Sequence, residues 1–103
     1  MSQEALQEIT TPTDSIAPTI AITSPANSAK IGTRTTIAIT ARDNVAISRM
    51  QLLFDGNLVT TVSGSALTYT MNTRKVASGT HTILARAFDA AGNMSTTTIS
   101  VFK

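Results

Sequence analysis

Residues 35–62, TTIAITARDNVAISRMQLLFDGNLVTTV, decide the fold class because apolar and polar side chains alternate along them. A period of two is that of a β-strand with one buried face. The stretch DGN at 55–57 predicts a tight hairpin, since glycine tolerates the positive φ of such a turn. The alternation therefore predicts strands at 35–41 and 47–54, returning at 58–62, with these inner side chains: Ile37, Ile39, Ala41, Met50, Leu52 and Phe54.

The same alternation continues outward on both sides of this stretch. It predicts further strands at 19–23, 67–71, 80–88 and 97–101, which makes seven in all. Thr, Ile and Val supply 34 of the 103 residues, and β-branched side chains fit a pleated, half-buried surface. We therefore expect an all-β fold, a sandwich of about seven antiparallel strands in two sheets packed face to face.

The length leaves room for one such domain. Residues 1–16, MSQEALQEITTPTDSI, are polar and rich in Thr, and they predict a flexible linker or an appended tail. Residues 17–103 are expected to form the sandwich. No apolar run approaches the roughly 18 residues that a membrane span needs, so no membrane insertion is expected.

Composition also excludes several functional classes. The absence of Cys excludes disulfide scaffolds, thiol nucleophiles and cysteine-ligated zinc. Residues 15–103 carry a net charge of +5, but their basic residues are scattered and only Arg74 and Lys75 are adjacent. That distribution favours a solvated basic surface over a phosphate-binding site, so no nucleic-acid partner is expected. No Trp and one Tyr leave little for an aromatic sugar platform.

Three stretches together resemble a bacterial Ig-like domain: APTIAITSPANSAKI at 17–31, ITARDNVAISRMQLLFDGNLV at 39–59 and VASGTHTILARAFDAAGN at 76–93. The resemblance covers roughly Asp14 to Lys103. It implies an Ig-like β-sandwich without catalytic activity of its own, of the kind appended to secreted bacterial hydrolases and surface proteins. The family often has a Trp near the position of Met71, so this anchor is softer here.

His81, the only histidine, begins the sixth predicted strand. In an Ig-like sandwich this is near the corner where a Tyr often bonds back to the preceding loop, and a ring nitrogen of His81 could do the same. The alternative is a catalytic histidine. No recognisable nucleophile arrangement accompanies it, so no catalytic residue is assigned.

Acidic and amide side chains follow several predicted strands. In an Ig-like order their loops meet at one end of the sandwich, and carboxylate and amide oxygens are ligands that Ca²⁺ prefers. We favour ordinary turn chemistry over calcium, because Asp and Asn side chains bond nearby backbone. No metal or other cofactor is assigned, and the calcium candidates are Asp14, Asp43, Asn44, Asp89 and Asn93.

An outward-facing apolar set is the third candidate. By the same alternation, several large side chains on the third, sixth and seventh predicted strands point to solvent and are flanked by two arginines. An apolar patch rimmed by charge often marks a docking surface, although single exposed apolar residues are ordinary. The residues of this candidate surface are Leu53, Leu84, Phe88, Phe102, Arg49 and Arg86.

These observations favour a non-catalytic, monomeric module of a secreted or cell-surface bacterial protein. Its expected role is to space, stabilise or dock a neighbouring catalytic or adhesive domain of the parent chain. The alternative is a binding module for carbohydrate or a cell-wall polymer, with a cell-surface polysaccharide or protein as partner. An enzyme is not expected.

Overall fold

The computed structural model describes residues 16–103. Nearly all of the predicted linker, residues 1–15, lies outside the described residues. The described part contains eight strands, of which seven correspond to the predicted ones. They are β1 (Thr19–Ser24), β2 (Ala29–Lys30), β3 (Arg34–Arg42), β4 (Ile47–Phe54), β5 (Asn57–Val62), β6 (Ala66–Asn72), β7 (Thr80–Asp89) and β8 (Met94–Phe102).

The strands form two sheets, which confirms the all-β sandwich. One sheet has the order β1-β3-β6, and the other has the order β2-β8-β7-β4-β5. Every pairing is antiparallel except that of β2 with β8, which is parallel. The strand order β1-β3-β6 means that chain neighbours such as β3 and β4 lie in different sheets, as in Greek-key sandwiches.

The core lies between the two sheets and follows the predicted alternation. Ile37, Leu52 and Ile83 have no exposed surface, and Ile39 is 1% exposed. Smaller side chains on β7, Ala85 and Ala87, are also fully buried. Ile37 and Ile39 of β3 therefore pack in one core with the buried side chains of β4 and β7. One face of each sheet is thereby removed from water.

The predicted DGN hairpin joins β4 to β5. Asp55 has φ +50° and Gly56 has φ +84°, so both central residues of the turn lie in the left-handed region. Two consecutive positive φ values are the geometry of the tight turns whose twist matches antiparallel strands. This turn pairs Phe54 with Asn57 and places the Asp55 carboxylate at the end of the sandwich.

β2 is a strand that the alternation did not predict. It lies inside the stretch SPANSAKIG at 24–32, between the first two predicted strands. Its two residues pair with Val101 and Phe102 of β8, and the Ile31 amide donates to the Phe102 carbonyl at 2.7 Å. Ile31 is buried as a result. A two-residue strand has too few positions to show a period.

The two ends of the sandwich have different roles for the chain. We call the end where β1 begins the entry end, because Thr19 pairs there with Arg42. The opposite end, where β8 finishes and Phe102 pairs with Thr80, is the exit end. The chain therefore enters the sandwich at one end and leaves it at the other.

Substitution of Ile39 by Ala tests the core. We expect the free energy of unfolding to fall by about 2–5 kcal/mol, because the change removes buried methyl groups and leaves a cavity. The adjacent Thr40→Ala, on the exposed face of the same strand, should change it by no more than about 1 kcal/mol. Urea unfolding of the two variants measures both values, and equal effects would contradict this assignment of the inner face.

Candidate functional site

Asp55 and His81 form a hydrogen-bonded pair at the exit end. His81 Nδ1 lies 2.6 Å from Asp55 Oδ2, and His81 Nε2 lies 2.7 Å from the Ala77 carbonyl oxygen. The second contact confirms the prediction that His81 bonds back to the loop before its strand. The first was missed, because Asp55 is 26 residues away and only the pairing of β4 with β7 brings the two together.

Both partners of the His81 ring are hydrogen-bond acceptors. A neutral imidazole has one donor nitrogen, so the two contacts are satisfied together only by the imidazolium form. The hydrogen bond to Asp55, followed by the bond to the Ala77 carbonyl, raises the pKa of His81 above its ordinary value. Partial burial and the charge of Lys103 oppose this shift without cancelling it.

The carboxylate side of the pair is also held in place. The Thr82 amide donates to Asp55 Oδ1 at 2.9 Å. Burial alone would raise the pKa of Asp55, but the bonds from Thr82 and His81 and the imidazolium charge outweigh it, so that pKa lies below its ordinary value. The ring of Phe54 stacks on His81 with 5.4 Å between centroids. The pair therefore clamps the hairpin to the loop before β7, a structural role.

The calcium candidates lie at the entry end. The register places Ile47 opposite Asp89, and the Ala90 amide donates to the Ala46 carbonyl at 3.3 Å, so the loops at 43–46 and 89–93 are neighbours. Within the described chain, no group of three or more His, Asp or Glu side chains is placed to hold a metal ion. Asp14 lies outside the described residues, and the calcium site stays a prediction.

The Asp89 carboxylate accepts hydrogen bonds from its own loop. Its Oδ1 accepts from the amides of Ala91 at 3.0 Å and Asn93 at 2.8 Å, and its Oδ2 accepts from Asn93 Nδ2 at 2.9 Å. Asp89 is 2% exposed. In the other loop, Asp43 Oδ2 accepts from the Val45 amide at 3.1 Å. Both carboxylates thus perform the turn chemistry that the sequence favours at these positions.

The six residues of the predicted docking surface lie on the outer face of the five-stranded sheet, but cross-strand pairs of polar residues separate the apolar ones. Arg49 lies 3.8 Å from the centre of the Phe88 ring, which forms one cluster. Leu53 pairs with Leu84 in a second cluster and, unexpectedly, is buried at 8% exposure. Between these two clusters lies the cross-strand pair of Gln51 and Arg86, in which Arg86 Nη1 donates to Gln51 Oε1 at 3.3 Å.

Phe102, the most exposed of these apolar residues at 44%, is separated from Leu84 by the Thr82–Ser100 row. The structure therefore brings the six residues to one face without joining the apolar ones into one patch. Their role as a docking surface stays a prediction.

The Asp55–His81 pair predicts a defined pH dependence of stability. Because the pKa of His81 is raised by folding, its contribution is complete below about pH 6.5 and is lost as pH rises through the raised value. The pKa of Asp55 is lowered, so its contribution is present above about pH 4 and is lost on further acidification. We therefore expect the free energy of unfolding to decline as pH rises from about 6.5 through the raised pKa of His81.

His81→Gln should flatten that decline, because glutamine does not titrate. An NMR titration of the single histidine gives its pKa directly. A value at or below about 6.5 would contradict the clamp.

Asp89→Ala should lower the free energy of unfolding by about 1.5–3 kcal/mol, because it leaves two partly buried amides without their charged acceptor. We expect the same loss in calcium and in EDTA if the carboxylate acts on its own loop. Thermal melts of wild type and variant in both buffers measure this. A calcium-dependent rise in wild-type melting temperature that disappears in the variant would instead support the calcium site.

Comparisons with known proteins place the chain among bacterial modules. A search of curated protein sequences found no match. Among solved structures, a fibronectin(III)-like module structure of Clostridium thermocellum CbhA is similar, with TM-score 0.69 and 25% identity over 84% of this chain and 46% of that one. The present chain therefore spans less than half the length of that protein chain.

Two further structures share the fold. The endo-β-1,4-mannanase of Thermotoga petrophila matches with TM-score 0.70 and 11% identity over 86% of this chain and 20% of its own. A lytic polysaccharide monooxygenase of Jonesia denitrificans matches with TM-score 0.53 and 22% identity over 76% and 58%. The sequence profile described as "Bacterial Ig domain" matches residues 18–85, about two thirds of the chain. The chain belongs to the bacterial Ig domain family.

Proposed function

We propose that this domain is a non-catalytic accessory module that spaces and stabilises a neighbouring catalytic or adhesive domain of a secreted or cell-surface bacterial protein. The observation that carries the proposal is the placement of the entry and exit ends at opposite ends of the sandwich. A module of this shape holds whatever precedes it and whatever follows it apart by its own length.

The length follows from the strands. β8 runs from one end to the other in nine residues, which corresponds to roughly 30 Å. β1 begins at the entry end and lies in the three-stranded sheet, whereas β8 lies in the other sheet. The chain thus enters the sandwich through one sheet and leaves it through the other.

The exit of the chain is held rigidly. The Lys103 amide donates to the Gly79 carbonyl at 2.9 Å, and the Gly79 amide donates to the Lys103 carbonyl at 3.0 Å. The Lys103 ammonium donates to the carbonyls of Arg74 at 2.9 Å and Val76 at 3.1 Å. These bonds tie Lys103 to the segment between β6 and β7 and so fix the direction of the backbone at the exit end.

The relatives support this context. The similar CbhA structure is described as one of fibronectin(III)-like modules, and the mannanase match covers a fifth of that enzyme chain. Within residues 16–103, no helical segment has the length and apolar character needed to cross a bilayer. A secreted, multidomain parent protein is the context that we propose.

Carbohydrate binding by ring stacking has less support in the structure. Tyr69 is 36% exposed on β6, and Phe102 is 44% exposed on β8. The two rings belong to different sheets and cannot form one platform. The spacing role, in contrast, requires only that the entry and exit ends lie at opposite ends of the sandwich.

The spacing role can be measured by placing the described residues between two fluorescent reporter domains. We expect a narrow distribution of energy-transfer efficiencies, because the sandwich fixes the separation of its ends. The control replaces the module with a Gly/Ser linker of equal residue number, for which a flexible coil predicts a broad distribution. A distribution as broad as that of the linker, or hydrolytic turnover by the isolated chain, would contradict the proposal.

A further inference from the structure

The basic residues that the sequence scatters are gathered by the fold at the exit end. Lys30 pairs with Phe102, and Arg34 pairs with Asn72. The Lys103 ammonium bonds to the Arg74 carbonyl, and Lys75 follows Arg74 in the chain. Five of the eight Lys and Arg residues thus lie at this end. Among residues 16–103, the one side-chain carboxylate there is that of Asp55, which is paired with His81.

Two of these arginines line a cavity on the outer face of the three-stranded sheet. The cavity has a volume of about 530 Å³ and is lined by Thr33, Arg34, Thr70, Asn72 and Arg74. This volume is within the usual range of small-molecule sites, about 300–1,000 Å³. A second depression of similar volume lies at the entry end of the same sheet, but it contains one arginine and several apolar side chains.

The backbone around the cavity is fixed by bonds between the residues just before β3 and those just after β6. The Thr73 amide donates to the Thr33 carbonyl at 3.0 Å, and the Thr73 hydroxyl donates to the Gly32 carbonyl. The Arg74 amide donates to Asn72 Oδ1 at 3.0 Å. Arg74 is therefore held next to the strand pair that carries Arg34, and the site does not depend on a loose loop.

Three of the side chains that line the cavity carry hydrogen-bond donors that have no acceptor among the described residues. Within the described residues, neither the Arg34 nor the Arg74 guanidinium takes part in a hydrogen bond or an ion pair. Asn72 uses its oxygen on the Arg74 amide, which leaves its NH₂ group as a further donor. Guanidinium groups bind carboxylates and other oxyanions through paired N–H bonds. The cavity thus offers donors and positive charge to an anion.

The surface beyond the cavity is rich in hydroxyl groups. Thr36, Thr40, Thr68 and Thr70 are exposed on the same face, and the hydroxyls of Thr36 and Thr70 lie 3.3 Å apart. Such a surface can exchange hydrogen bonds with sugar hydroxyls. The nearest ring, Tyr69 of β6, pairs with the buried Ile37 and therefore lies on the other face of the sheet, so β3 and β6 place no ring among these threonines on which unpaired nucleobases could stack. A carbohydrate bearing anionic groups therefore fits the site better than a single-stranded nucleic acid does.

We propose that the cavity of Arg34, Asn72 and Arg74 binds carboxylate groups of an acidic polysaccharide, with the neighbouring threonines receiving the sugar hydroxyls. This binding is independent of the proposed spacing role, and either can fail without the other.

The test measures binding of the intact chain to polygalacturonate at about 150 mM salt, where weak surface attraction is screened. Arg34→Gln/Arg74→Gln should weaken binding at least about tenfold, since it removes both guanidinium groups and with them their charge-assisted bonds to the carboxylates. The matched control, Arg42→Gln/Arg49→Gln, removes the same charge near the entry end and should retain wild-type affinity. Circular dichroism and thermal melts of both variants establish that they fold.

The ligands provide the second control. Highly methyl-esterified polygalacturonate has the same backbone with its carboxylates neutralised, and we expect it not to bind. A DNA oligonucleotide should bind more weakly than polygalacturonate. The proposal is overturned by the absence of polygalacturonate binding, by equal losses in the two double variants, by equal binding of the methyl ester, or by tighter binding of DNA.

Discussion

The pairing of β4 with β7 is the constraint on which the rest of the structure depends. It places Met50 opposite Ala87 and Leu52 opposite Ala85 on the buried face, so large side chains of one strand lie beside small ones of the next. A shift of one residue would turn all of these side chains to solvent and is therefore strongly disfavoured. The same register brings Asp55 of one strand end to His81 of the other. The core and the polar clamp at the exit end are thus consequences of one alignment.

Much of the fold could be predicted from the sequence because its signals are local. Alternation over five or more residues identifies seven of the strands, and the DGN turn identifies the hairpin through its backbone requirement. β2 was not predicted because its partner strand, β8, lies about 70 residues later in the chain, and because two residues are too few to show a period. The burial of Leu53 also escaped. Alternation gives the face of a side chain, whereas its exposure depends on neighbours in other strands, here Leu58 and Leu84.

The polar sites were harder to predict, since they depend on which strand ends meet. The sequence correctly indicated that His81 would bond back to its loop, a contact four residues away. It gave no sign of Asp55 as the second partner. The basic residues look scattered along the chain because Arg34 and Arg74 are 40 residues apart, yet the β3–β6 register makes them neighbours. The useful signal is positional: charged residues at the first or last position of several strands gather at one end of a sandwich.

Entry and exit at opposite ends also determine how the module would respond to tension. A pull on the two ends acts along the strands. It therefore shears the hydrogen bonds between β1 and β3 and between β7 and β8, so that many of them must break together. Peeling the strands apart would instead break these bonds one after another. Because β1 and β8 belong to different sheets, the force must also slide one sheet over the other through the interdigitated core. Such a geometry favours mechanical resistance in a module that is pulled along its strands.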